Sequence, residues 1–229
     1  MPLLKVAAGT INTTPLAWES NKKSIIDAIE EARQQNISLL CLPELCITGY
    51  GCDDAFYSQN TLNQALESLH EIVIQTSGIV VSVGLPLRFN NKIYNTACLI
   101  ANKRILGFTA KQHLPNYGLF YEDRWFHRWP SGAREEIKVG DFSYPIGDLV
   151  FDLSGVRIAF EICAFSGSGP PAMPLQHRPQ LFHPLFKLLL AEPAKAQHEA
   201  RPAGFPPVQG RKRTHRQPSL TRRKRHGHV

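Results

Sequence analysis

The chain has 229 residues, 43% of them hydrophobic and 20% charged, with a formal net charge of +7. That make-up is ordinary for a globular protein of one large or two small domains, and no apolar run approaches the roughly 20 residues of a membrane span. The five cysteines are odd in number, form no Cys-x-x-Cys pair and follow no secretory signal, which excludes a disulfide scaffold and predicts reduced thiols in a cytoplasmic setting.

The charge is unevenly spread. Residues 164–229 carry 12 Lys+Arg against 2 Asp+Glu, whereas residues 1–163 carry 14 against 17. Ten of the 17 prolines and six of the nine histidines also fall after Cys163. So abrupt a change predicts two regions, 1–163 and 164–229.

In chain order, residues 3–8 predict a first strand. Thr13-Thr14-Pro15 reads as a helix start, and Ile25, Ala28, Ile29 and Ala32 form one helical face running to Gln35-Asn36. Residues 37–42 are apolar but for Ser38, as expected of a strand buried on both faces. Strand, helix, strand is the unit of an α/β fold. Glu44 follows directly, in a turn punctuated by Pro43, Gly49 and Gly51. Sheet-end positions of this kind are where α/β folds place their sites.

Residues 53–75 predict a second helix with Leu62, Leu66, Leu69 and Val73 on one face. A third strand spans 79–83, ended by Gly84-Leu85-Pro86. Residues 92–100 and 104–109 read as a hairpin around Asn102-Lys103. Lys111 then opens a loop dense in aromatic and hydrogen-bonding groups, through Tyr117 to Glu122, more like a pocket wall than a spacer. Trp125, Phe126 and Trp129 are expected to pack over its edge. Residues 149–153 and 155–163 form a hairpin across Ser154-Gly155, whose second strand alternates Val156, Ile158, Phe160 and Ile162 and ends on Cys163.

Glu44, Lys111 and Cys163 thus stand at three strand ends. Together they suit hydrolysis of an amide. A thiol attacks a carbonyl as thiolate and needs a base, which a carboxylate supplies. A fixed ammonium stabilises the oxyanion that forms.

Pro43-Glu44-Leu45-Cys46-Ile47-Thr48-Gly49-Tyr50, Lys111-Gln112-His113-Leu114-Pro115-Asn116-Tyr117 with Phe120-Tyr121-Glu122, and Phe160-Glu161-Ile162-Cys163 resemble the three signature blocks of the nitrilase (carbon–nitrogen hydrolase) superfamily. The branch they most resemble is the amino-terminal glutaminase domain of glutamine-dependent NAD+ synthetases. The resemblance spans residues 4–163. It implies a four-layer α-β-β-α sandwich, commonly paired with a second copy. It assigns Cys163 as nucleophile, Glu44 as general base and Lys111 as the oxyanion lysine. Glu122 matches a glutamate that positions lysine and substrate, and Tyr117 a residue lining the glutamine pocket. Glutamine is the implied substrate. The glutaminase step needs no cofactor or metal; ATP and Mg belong to a separate synthetase domain, of whose Ser-Gly-Gly-rich pyrophosphate loop this sequence has no trace.

After Cys163 the sequence departs from the family, with Ala164-Phe165-Ser166-Gly167 where an acidic pair is usual. The sandwich is therefore expected to be incomplete, and 164–229 to be a largely disordered basic tail, an unrelated extension of a truncated domain. Its prolines leave room for little beyond a short helix within 181–191. Arg211-Lys212-Arg213 and Arg222-Arg223-Lys224-Arg225 are the patches through which nucleic acid would bind. The alternative class is an inactive remnant whose tail binds nucleic acid non-specifically. No histidine pair has partners at metal-ligand spacing.

Overall fold

A computed structural model describes residues 4–116, 118, 120–153, 155–162 and, as backbone, 186–191. The amino-terminal unit is β1 (Val6–Ala8), α1 (Trp18–Gln34) and β2 (Leu39–Cys41), with β1 parallel to β2. Helix α1 buries Ile25, Ile29 and Ala32, the stripe its periodicity predicts. It starts three residues beyond Pro15. The preceding turn is held instead by buried Asn21, whose side chain bonds both the N–H and the C=O of Thr14.

The second predicted helix is two pieces, a 3-10 helix at Asp53–Tyr57 and α2 (Gln59–Val73), separated by Ser58 in an extended conformation. The third strand, β3 (Val80–Phe89), runs well past its expected end. Gly84 and Pro86 do not stop it, for a reason visible in the ladder. Pro86 opposes Asn95 on β4 (Lys92–Ala101), and Asn95 turns its carbonyl to the other side, where it accepts from the Lys111 N–H at 2.9 Å. Pro86 therefore faces away from β4 and loses no bond to it. Strand β5 (Arg104–Ala110) follows across Asn102-Lys103, both at positive φ, as the predicted hairpin requires.

A further hairpin, β6 (Arg134–Val139) and β7 (Phe142–Gly147), occupies a stretch to which the sequence reading assigned no element. These strands make a seven-stranded mixed sheet in the order β1-β2-β3-β4-β5-β7-β6. The predicted hairpin of β8 (Val150–Leu153) and β9 (Val156–Ile162) forms a second sheet, joined on its other side by β10 (Phe186–Ala191). Residues 186–191 are thus a strand and not part of a short helix. Pro184 and Pro193 bound too few residues for a stable helix, and β9 offers an unpaired edge.

The layers follow from side-chain parity. Leu40 and Leu42, Val81 and Val83, and Cys98 and Ile100 join α1 and α2 in one core. Leu39 and Cys41, together with Ala97 and Leu99, take the opposite face and meet Phe151, Ile158, Phe160 and Ile162 of the second sheet. Among the described residues the order is helix, sheet, sheet, as a nitrilase-like sandwich requires. No described helix is long and apolar enough to cross a membrane.

Candidate active site

Glu44 sits where the chain leaves β2. The loop that carries it is sewn to β3: the Leu42 N–H bonds the Ser82 carbonyl at 3.1 Å and the Ile47 N–H bonds that of Gly84 at 3.1 Å. A Cβ on Gly84 would stand 2.2 Å from the Leu45 nitrogen, so only glycine lets this loop lie on the strand. Leu45 adopts a left-handed φ of 50°, strain of about 1–3 kcal/mol for a non-glycine residue. Its side chain is fully buried with Phe56, Leu114 and Phe126, which holds it there. From the other side Asn21 donates to the Ile47 carbonyl at 3.3 Å, and the Leu16 N–H to that of Thr48 at 2.8 Å.

Lys111 is the first residue after β5 and is 1% exposed. Its Nζ lies 2.6 Å from Glu44 Oε1, and 2.9 Å and 2.8 Å from the two oxygens of Glu122. Glu122 opens the short helix α3 (Glu122–Trp125), and the Tyr50 hydroxyl donates to its Oε1. Asn95 Nδ2 donates to Glu44 Oε1. Glu44 is 3% exposed and Glu122 2%. The backbone closes round the lysine, with the Trp129 N–H bonding its carbonyl at 3.0 Å. On the surface, Arg124 and Trp125 both bond Asp54, tying α3 to the 3-10 helix. These bonds hold the Asp54 carboxyl at about 2, below the usual carboxylate range.

One ammonium cannot neutralise two buried carboxylates. Burial raises Glu44 to about 7, with the Glu122 charge adding to the rise, while Lys111 and the Asn95 amide act against it. Both bonds to Glu44 fall on Oε1. Glu44 Oε2 is buried without a hydrogen-bond partner among the described residues, as is Asn95 Oδ1. The carboxylate thus has one oxygen fixed and one open to a proton.

Glu44, Lys111 and Glu122, three of the five predicted site residues, come together in one buried cluster. Cys163 and Tyr117 lie outside the described residues. β9, the strand expected to carry Cys163, ends at Ile162 and packs through Phe160 and Ile162 on β2 and β4. Of the three aromatics expected over the site, Phe126 is buried on Phe56 and Trp125 packs partly buried beside it. Trp129 belongs instead to the main core against Phe89 and Tyr94. Sequence reasoning missed Asn95 and gave Tyr50 no role. Asn95 was detectable as an amide inside an apolar strand, where burial demands a partner.

A buried Glu–Lys–Glu cluster at the sheet ends of a layered α/β fold defines the class. The carbon–nitrogen hydrolase family profile matches residues 5–177, beyond Cys163, and the chain belongs to that family. Among its relatives are glutamine-dependent NAD+ synthetases. That of Arabidopsis thaliana is 38% identical over 148 residues, 64% of this chain and 20% of the plant protein. That of Mycobacterium tuberculosis H37Rv is 33% identical over 166 residues, 70% of this chain and 24% of the other. The crystal structure of the enzyme from Cytophaga hutchinsonii superposes with a TM-score of 0.68 at 46% identity, over 69% of this chain and 27% of that one. The chain therefore spans a quarter or less of the length of these curated relatives.

Proposed function

We propose that this chain carries the glutaminase chemistry of a glutamine-dependent NAD+ synthetase, releasing ammonia from glutamine through a thioester on Cys163. The observation that carries this reading is the half-occupied Glu44 carboxylate, with Oε1 held by Lys111 and Asn95 and Oε2 without a partner among the described residues.

Glu44 Oε2 takes the thiol proton of Cys163, and the thiolate adds to the side-chain amide carbon of glutamine. Negative charge moves to the carbonyl oxygen, beside the Lys111 ammonium. Glu44 returns its proton to the nitrogen, the C–N bond breaks, and ammonia leaves a γ-thioester. Water, deprotonated by Glu44, then attacks the thioester carbon. The C–S bond breaks, the sulfur regains a proton, and glutamate departs.

The position of Glu44 on the pH scale suits this exchange. A thiol titrates ordinarily at about 8.5 and a glutamate at about 4.3. Moving a proton between them costs about 6 kcal/mol, but about 2 kcal/mol to a carboxylate near 7. Glu122, itself held by the Tyr50 hydroxyl, keeps the lysine in place. Tyr117 is proposed to line the glutamine pocket. The ATP- and Mg-dependent use of the ammonia belongs, by the same resemblance, to a synthetase domain.

The test is covalent trapping with a glutamine-like chloromethyl ketone. Its carbon should bond Cys163 Sγ with loss of chloride, adding one ligand mass that Cys163→Ala abolishes. A folded protein that gains no mass, or gains it on another cysteine, overturns the reading.

A further inference from the structure

Asn95 is fully buried in the middle of a mostly apolar strand segment, Ile93-Tyr94-Asn95-Thr96-Ala97-Cys98. It touches the site twice. Its Nδ2 donates to Glu44 Oε1, and its main-chain carbonyl accepts from the Lys111 N–H at 2.9 Å. It shares its parity with Ala97 and Leu99, whose face meets β9. One residue of β4 therefore joins the loop after β2 to the residue after β5.

We propose that Asn95 is a positioning residue: its amide pins Glu44 Oε1 so that Oε2 is left to exchange protons with the nucleophile, while its carbonyl fixes the root of Lys111. The proposal rests on the glutaminase reading for its catalytic consequence, not for its geometry. The alternatives for a buried amide are fewer than usual here. A purely structural asparagine satisfies both ends within the fold, whereas Oδ1 of Asn95 has no partner among the described residues. Among the described residues its side-chain bond goes to the reactive carboxylate.

The groups facing Glu44 are Lys111 after β5, Glu122 on α3 with the Tyr50 hydroxyl behind it, and Asn95 on β4. Cys46, beside the same loop, is pushed by burial to about 12 and stays a neutral thiol. Asn95 stabilises the charged form of Glu44, so removing its N–H donor raises the pH at which that carboxylate ionises.

The experiment compares Asn95→Leu, which keeps the approximate shape and loses the donor, with Asn95→Ala. In ammonia release from glutamine, the rising limb of kcat against pH should move up by about one unit or more. The loss at pH 7 should be about fivefold or more and should largely recover at pH 9. A uniform loss at every pH, with the limb unmoved, overturns the proposal. A second measurement needs no turnover, and its wild-type arm needs no variant once the amide is selectively labelled. In the wild-type chain the Asn95 side-chain amide resonances, assigned by their loss in the variants or by selective labelling, should titrate with the Glu44 carboxyl carbon near pH 7. In Glu44→Gln they should not titrate. Amide resonances that stay fixed while Glu44 titrates contradict the proposal even in a chain that releases no ammonia. Co-titration in a chain without activity would sustain the positioning and remove only the glutaminase reading.

Discussion

Lys111 stands between two carboxylates, and its consequences are read residue by residue. Glu44→Gln removes the proton acceptor and should lower ammonia release by about 10²–10⁴-fold. Glu44 must be ionised to act, so wild-type activity should rise with pH through about 7. The stability effect has the opposite sign. The folded protein holds Glu44 protonated to higher pH than the unfolded chain does, so between about 4.3 and 7 it binds more protons. That contribution is complete below the ordinary carboxylate range and is lost as pH rises through about 7. Thermal melts of wild type and Glu44→Gln should therefore converge or cross as pH rises from 5 to 8, with wild type losing ground. A parallel pH dependence in the two proteins would contradict this. At this scale Glu44 and Lys111 were legible as charges at strand ends, and Glu122 through the family resemblance alone. Asn95 and Tyr50 were not, because their meaning lies in partners 51 and 72 residues away.

Elements place these residues by contacts between main chains. Gly84 is the sharpest case, since its pro-Cβ position is blocked by Leu45 N, Glu44 C and Pro43 O, all backbone. Gly84→Ala should destabilise the fold by about 1–3 kcal/mol and displace Glu44. The check is a denaturant melt beside a glutaminase assay; an active variant of wild-type stability would contradict the docking. The sequence reading ended β3 at this glycine, because Gly and Pro ordinarily punctuate a strand. Here Gly84 admits a loop and Pro86 faces away from its antiparallel partner, both facts of tertiary context. The β3–β4 hairpin turns on Asn90-Asn91, and the β6–β7 hairpin on Gly140-Asp141, with Ile137 and Val139 alternating inward. Both carried turn and period-two signals that the denser chemistry of their neighbours obscured.

At the scale of the whole molecule, the second sheet stacks on the first and packs β9 on β2 and β4. Phe160 packs across Phe151 in that interface, and Phe160→Ala should cost about 3–5 kcal/mol. β9 is also held by β10, in the register Leu188 with Phe160. Prolines at both 188 and 189 remove one ladder donor whichever of the two faces β9. Hydrogen exchange should then quicken along residues 157–162; unchanged exchange would deny the pairing. The sandwich was legible from its hairpin and its motifs. The strand at 186–191 was not, because a short apolar run between prolines takes its conformation from the edge it meets. In the proposed function Glu44, Lys111 and Cys163 act as one hydrolytic unit. Its most direct test is ammonia release from L-glutamine by residues 1–229 beside Cys163→Ala. Release that depends on the thiol and rises with pH through about 7 is the predicted result; release equal in the two proteins, or none from a folded wild-type chain, would contradict it.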